Sequence, residues 1–108
     1  MWSRYDGLGW HGDTCRTFLC GDVDEKGKKL VESTKRAMDA AIAICKPGVN
    51  YWEIGRTIEA EAKKDGFNVV QDYAGHGIGR DMHMLPYILH FANNYGGKMV
   101  RSACFVRR

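Results

Sequence analysis

Apolar residues recur at three- and four-residue steps through the first half of the chain. Leu30, Val31, Thr34, Met38, Ala41, Ile42 and Cys45 fall on one stripe, and Lys28, Lys29, Glu32, Lys35, Arg36 and Asp39 lie mostly off it. That period predicts a helix with one buried face. Asp22 stands three positions before Glu25, the spacing of a capping box, and marks the start. Gly27 weakens the first turns by about 1 kcal/mol relative to Ala. Lys46-Pro47-Gly48 ends the helix, because Pro cannot continue it and pushes the residue before it out of the α region. A second helix begins at Asn50, with Glu53 at the capping-box position. Ile54, Ile58 and Ala62 give it an apolar face, and Glu59, Glu61, Lys63 and Lys64 solvate the other. Gly66 suits the left-handed position just past a helix end.

Strands are expected on either side of these helices. Residues 14–20 contain β-friendly Thr17, Phe18 and Leu19 and stop at Gly21-Asp22. Gly7, Gly9 and Gly12 make the first dozen residues a turn-rich entry. Residues 67–71, with Val69 and Val70, read as a strand. From 75 to 86 the glycines at 75, 77 and 79, and then Pro86, break both the helical and the strand period. Residues 87–91 form a short strand, 93–97 a turn, and 98–106 a last strand. Met99, Ala103 and Phe105 alternate there with Val100 and Cys104, and Arg101 interrupts the pattern. Two helices covering one face of a small antiparallel sheet is an α+β fold. No internal repeat or low-complexity linker divides the chain, so residues 1–108 are read as a single domain.

Composition narrows the function classes. The chain has 108 residues, 44% of them hydrophobic and 27% charged, an ordinary globular balance. A net charge of +3 is too small to argue for a nucleic-acid partner. No acidic residue follows Asp81, while Lys98, Arg101, Arg107 and Arg108 do, which leaves the rest of the chain at about −1. A basic end of this kind can touch RNA or the ribosome; the plainer reading, preferred here, is solvated surface. Cys15, Cys20, Cys45 and Cys104 have no Cys-x-x-Cys spacing, and no secretory pattern precedes them. They are expected to be reduced cysteines of an intracellular protein. No apolar run reaches the ~18 residues of a membrane span. The opening Met1-Trp2-Ser3-Arg4-Tyr5-Asp6 has no targeting pattern, so a cytoplasmic location is expected.

Candidate chemistry centres on His76. It stands between Gly75 and Gly77, and glycines let other groups come close. A histidine presented in this way is open to a metal ion or a substrate; the plainer role is a hydrogen-bonded turn residue. His76, His83 and His90 are seven apart, but the glycines and Pro86 rule out the helix that would align them. His90 lies in the apolar run Tyr87-Ile88-Leu89-His90-Phe91 and is expected to be packed. Asp13, after Gly12, is either a metal-ligating carboxylate or a turn residue bonding nearby N–H groups. Asp72 and Asp81 read as solvated. Met82 and Met84 alternate beside His83 and read as packing, or as one wall of an apolar pocket.

Several of these segments occur together in one family. His11-Gly12-Asp13-Thr14 followed by Arg16-Thr17-Phe18 resembles the metal-carboxylate strand of type I methionine aminopeptidases. Residues 40–49, Ala-Ala-Ile-Ala-Ile-Cys-Lys-Pro-Gly-Val, resemble their connection between two helices. Gly75-His76-Gly77-Ile78-Gly79-Arg80, then His83, then Pro86, resemble their histidine loop, and Ile88-Leu89-His90 and Gly97-Lys98-Met99-Val100 extend the likeness. The resemblance covers about residues 9–105 and implies half of a pita-bread fold. It implies a hydrolase that removes N-terminal Met from nascent proteins, using two divalent ions (Co, Mn, Fe or Zn) held by carboxylates and one histidine. By that likeness Asp13 and His76 are metal ligands. His83 is the catalytic histidine that contacts the substrate amide, and Met82 stands where the family has a pocket-lining Phe.

The chain also departs from the family's pattern. A second metal-binding Asp is expected eleven residues before Asp13, and that position is Trp2, which offers no ligand for a hard cation. A Glu ligand is expected after the last strand, where the chain reads Phe105-Val106-Arg107-Arg108. Two of five expected ligands remain, so the isolated chain is expected to be inactive. Two readings follow: an aminopeptidase piece whose missing ligands come from a complementing chain, or a non-catalytic truncated or degenerate relative acting, if at all, as a binding module. Self-association is expected, because a large part of the shared core is absent.

Overall fold

A computed structural model describes residues 2–5, 9–101 and 105–106. Strands β1 (Trp2–Tyr5) and β2 (His11–Thr14) form an antiparallel ribbon in which Ser3 faces Asp13. Helices α1 (Glu25–Ala43) and α2 (Trp52–Lys64) follow. Strands β3 (Ala74–Gly77), β4 (Met84–Leu89) and β5 (Phe105–Val106) make a second antiparallel sheet in the order β4-β3-β5. The architecture is α+β, as expected. Its strands fall in two small sheets; α2 packs on β4, and α1 packs on α2.

α1 starts two residues later than its sequence signals suggest. Asp24, not Asp22, is the cap, and its Oδ1 accepts from the Gly27 N–H at 2.8 Å. A side chain at 27 would place its Cβ 2.8 Å from that same oxygen, so the glycine makes room for the cap. The buried row of α1 is Ser33, Ala37 and Ala41. These small residues let α2 come close. Leu30, Met38 and Ile42, the large members of the expected stripe, stay 46%, 42% and 49% exposed. α2 lacks the side-chain cap expected from Asn50; Tyr51 holds the cap position. Asn50 is instead paired with Lys98 in a bridge, and the Tyr51 N–H donates to Gly97 O at 2.9 Å. Gly66 does adopt the left-handed conformation, at φ 77°.

The two helices are also joined by charge. Arg36 on α1 bonds Asp65 at the end of α2 and sits 3.5 Å from Glu61. The Ser33 hydroxyl, and then the Arg36 guanidinium, hold Asp65 below the usual carboxylate range. Lys64, and then Arg36, do the same for Glu61. Lys63, and then the Ala92 N–H, lower Glu59.

The core lies where α1, α2, β4 and the segment around Met99 meet. Ala41, Tyr51, Ile54, Ile88 and Met99 are buried there, with Ile44, Cys45, Val49 and Ile58 packed around them. Ile54 and Ile88 are fully buried, and side chains of this size contribute about 1.5–3 kcal/mol each. Gly55 sits at the tightest contact. A Cβ there would lie 2.2 Å from Phe91 O and 2.6 Å from Leu89 O, so α2 rests directly on the backbone leaving β4.

Strand positions differ most from expectation. Residues 15–20 and 67–71 are not strands; Phe18 is 73% exposed and Val70 60%, and among the described residues no strand pairs with either segment. The glycine-rich opening holds a strand pair, and the glycine-rich 75–77 segment is itself β3. A Cβ at Gly77 would lie 2.3 Å from Leu85 O, so the glycine that breaks the sequence period permits the close strand approach. Pro86 lies in β4 at an irregularity, between the pairs His76–Tyr87 and Gly77–Met84, where a missing N–H is tolerated. The expected strand over 98–106 is a bridge at Lys98 and the short β5; residues 102–104 lie outside the described residues.

Candidate metal centre

Asp13 comes from the ribbon and His76 from the second sheet, and both are buried. His76 Nε2 stands 3.6 Å from Asp13 Oδ2. The other ring nitrogen, Nδ1, lies 2.9 Å from Gly77 O. A carbonyl only accepts, so Nδ1 carries the proton of that bond. In the neutral ring Nε2 is then left as a lone pair. That atom is buried and, among the described residues, has no hydrogen-bond partner. A lone pair and a carboxylate oxygen facing each other in a buried place can hold a cation between them. A proton would serve, as an ion pair. So would a divalent metal: ligand distances of ~2.0–2.2 Å for imidazole nitrogen and carboxylate oxygen bring both atoms within reach of one ion. The pair therefore fits two ligands of one metal ion, and the bond from Nδ1 to a backbone carbonyl is the support such a histidine ligand normally has.

His83 lies at the rim of this pair. Its ring centroid is 4.5 Å from that of His76, with the planes tilted by 59°, and the residue is exposed. Met82 beside it is half-buried. Asp72 and Asp81 are exposed, and His90 is buried just beyond β4, as expected of a packed histidine. The sequence Trp-Ser-Arg-Tyr of β1 contains no carboxylate, and the partner of Asp13 across the ribbon is Ser3. Val106 of β5 lies opposite His76. Among the described residues no three His, Cys, Asp or Glu side chains converge on a point where an ion could sit. A shallow groove at the α1–α2 connection, bordered by Ile44, Val49, Asn50 and Glu53, shares no residue with the Asp13–His76 pair.

One part of the site was not singled out in the sequence. The His11 N–H donates to Gly79 O at 2.8 Å, and His11 Nδ1 lies 3.3 Å from the same oxygen. The Trp10 ring covers Gly79, and the Arg80 guanidinium lies 5.2 Å from its centroid. The available signal was the alternation of His11 and Asp13, two residues apart on one strand face. Gly12 between them weakens the strand pattern and hides that signal.

Residues 1–106 match the model of metallopeptidase family M24. Over 97 residues the chain is 53% identical to methionine aminopeptidase 1D, chloroplastic/mitochondrial, of Arabidopsis thaliana; the match covers 90% of this chain and 28% of that protein. It is 50% identical over 86 residues to the mitochondrial methionine aminopeptidase 1D of Homo sapiens, covering 80% of this chain and 26% of that one. The crystal structure of methionine aminopeptidase from Rickettsia prowazekii superposes with a TM-score of 0.85 at 41% identity, over 90% of this chain and 40% of that chain. The chain thus spans 26% to 40% of the length of these relatives.

Proposed function

This chain belongs to metallopeptidase family M24, and we propose that it carries part of the metal centre of a methionine aminopeptidase, acting on N-terminal Met of nascent chains. The observation that supports this reading is the buried face-to-face pair of Asp13 Oδ2 and His76 Nε2. Asp13 and His76 would hold one divalent ion, Mn, Co, Fe or Zn, all of which accept imidazole and carboxylate. When bound, a pair of such ions supplies a polarised scissile carbonyl and an activated water. His83, exposed beside His76, offers a ring N–H to the substrate amide as negative charge develops on its oxygen. Met82 lines the side-chain pocket.

Two donors are fewer than the three or more protein ligands of a catalytic site. The chain alone is therefore expected to bind an ion weakly and to turn over no peptide. A complementing chain would have to bring further carboxylates. The second reading, a non-catalytic relative that binds a partner, is favoured by β1, which carries Trp2 where the family pattern has an acid. Among the described residues no helix is long and apolar enough to cross a membrane. Within that limit a cytoplasmic location remains our proposal.

Titration calorimetry with Mn²⁺ and Co²⁺ tests the site. Micromolar binding that disappears in both Asp13→Ala and His76→Ala is the expected result; binding that persists in either variant removes this pair as the site. Release of Met from a Met-Ala peptide by the chain alone, lost in His76→Ala, would show instead that it is an enzyme without help.

A further inference from the structure

The two donors stand on separate sheets, so their spacing depends on what holds the ribbon to the second sheet. Gly79, three residues beyond His76, is the point of attachment on one side. His11, two residues before Asp13, is the point on the other. One carbonyl, Gly79 O, faces both the backbone N–H and the ring Nδ1 of His11, at 2.8 and 3.3 Å. Because a carbonyl only accepts, the ring must donate, which fixes its proton on Nδ1. Gly79 is buried, and its own N–H donates to Asp81 O at 3.1 Å, which shapes the turn that leads on to His83.

Trp10 closes this attachment from outside. A Cβ built on Gly79 would lie 3.4 Å from Trp10 Cζ3 and 3.1 Å from Met84 Sδ, so the indole and the thioether both lie against the glycine. Arg80 then places its guanidinium on the Trp10 face, 5.2 Å from the ring centroid, and within 4.0 Å of where a Cβ on Gly9 would be. A cation over an indole adds attraction without a fixed hydrogen-bond direction. The ring of His11 supplies the directional part, and Trp10 with Arg80 supplies the cover.

We infer that His11 is a positioning residue for the metal pair: its ring hydrogen bond to Gly79 O, covered by the Trp10–Arg80 stack, sets the separation of Asp13 and His76. The geometric part stands on its own; its consequence for ion affinity rests on the metal-centre reading above. Outer partners that orient ligands typically change metal affinity by about 10- to 100-fold when removed.

Nuclear Overhauser contacts measure the spacing without any ion. The wild-type chain should show contacts between the Asp13 β-protons and the His76 ring, and between Ile54 and Ile88 as a report on the core. In His11→Ala the first contact should weaken while the second persists. His11→Asn, whose amide can still donate to Gly79 O, should restore it, and Arg80→Gln should weaken it partly. If His11→Ala also loses the core contact, His11→Asn and Arg80→Gln decide the matter by the same two contacts. An Asp13–His76 contact unchanged in His11→Ala, or lost in His11→Asn with the core intact, overturns the inference. Mn²⁺ calorimetry on the same variants should show about a tenfold loss in His11→Ala, recovered in His11→Asn. Wild-type protein that binds no ion would refute the metal-centre reading and leave the contact measurement standing. Equal affinity in wild type and His11→Ala would refute the inference and leave the metal-centre reading standing.

Discussion

His76 was legible because of its neighbours. Two flanking glycines marked it as a histidine that something approaches closely, and the structure shows what: β4 comes so near that Gly77 tolerates no Cβ. The sequence could not show that the approaching group is backbone, because a glycine needed for contact and a glycine needed for a turn look alike. Only the family likeness put Asp13 beside His76 as a metal ligand; by residue type it was just a carboxylate, since nothing local links positions so far apart in the chain. Nothing in the local sequence marks Gly55 as special. It lies inside a well-patterned helix, where a glycine normally costs stability and Ala restores it. Here the sign reverses. Gly55→Ala would drive its Cβ to 2.2 Å from Phe91 O, which is backbone and cannot swing aside. Overpacking of this kind costs about 1–3 kcal/mol and sometimes more. Urea denaturation of Gly55→Ala should give a lower midpoint than wild type; an equal or higher midpoint would mean that α2 does not rest on that carbonyl.

Elements were legible in proportion to how local their causes are. Both helices follow from periodic sequence and were placed within a few residues. Their caps were not, because Asn50 is taken by a bridge to Lys98, a partner distant in sequence. Strands fared worse. Residues 67–71 have the residue types of a strand but no pairing partner among the described residues, whereas 74–77 have poor β-formers and two partners, β4 and β5. Pairing decided the outcome, and pairing is not local. The helix pair also carries a pH dependence. Glu59, Glu61 and Asp65 titrate below their ordinary values of 4.5, 4.5 and 3.8. Carboxylates lowered in the folded state stabilise it fully above those values, and the contribution is lost as the pH falls through the lowered ones. The melting temperature should therefore decline as the pH drops below about 4.5, by a modest amount because these groups are partly solvated. Arg36→Met should make the decline shallower. A melting temperature independent of pH from 6 to 3 would show that this cluster adds nothing.

At the scale of the whole molecule, the family likeness was legible because several motifs occur in one order, and the match over residues 1–106 bears that out. What the residues surround was harder to read. The radius of gyration is 14.8 Å, against about 13 Å for a compact domain of this length. Large apolar side chains remain in water, among them Leu30, Met38 and Ile42 along α1 and Leu85 and Tyr87 on β4. Patches of that kind favour association. Sedimentation should show a weight-average mass that rises with concentration, and a double change of Met38→Lys and Ile42→Lys should reduce the rise. A monomer at every concentration would mean that the exposed stripe is tolerated as ordinary surface. The division of Asp13 and His76 between two sheets has a consequence for the folded state as a whole. An ion gripping both would act as a removable cross-link, and its affinity would then be part of the free energy of folding. At a hundred times its dissociation constant, such a ligand would add about 2.7 kcal/mol. Each kcal/mol moves the melting temperature of a chain this size by about 4–8 °C. Mn²⁺ should thus raise the melting temperature and slow amide exchange in the ribbon more than in α2. Ion-free protein should exchange its ribbon amides first, so that the hairpin bearing Asp13 opens while the hydrophobic core stays closed.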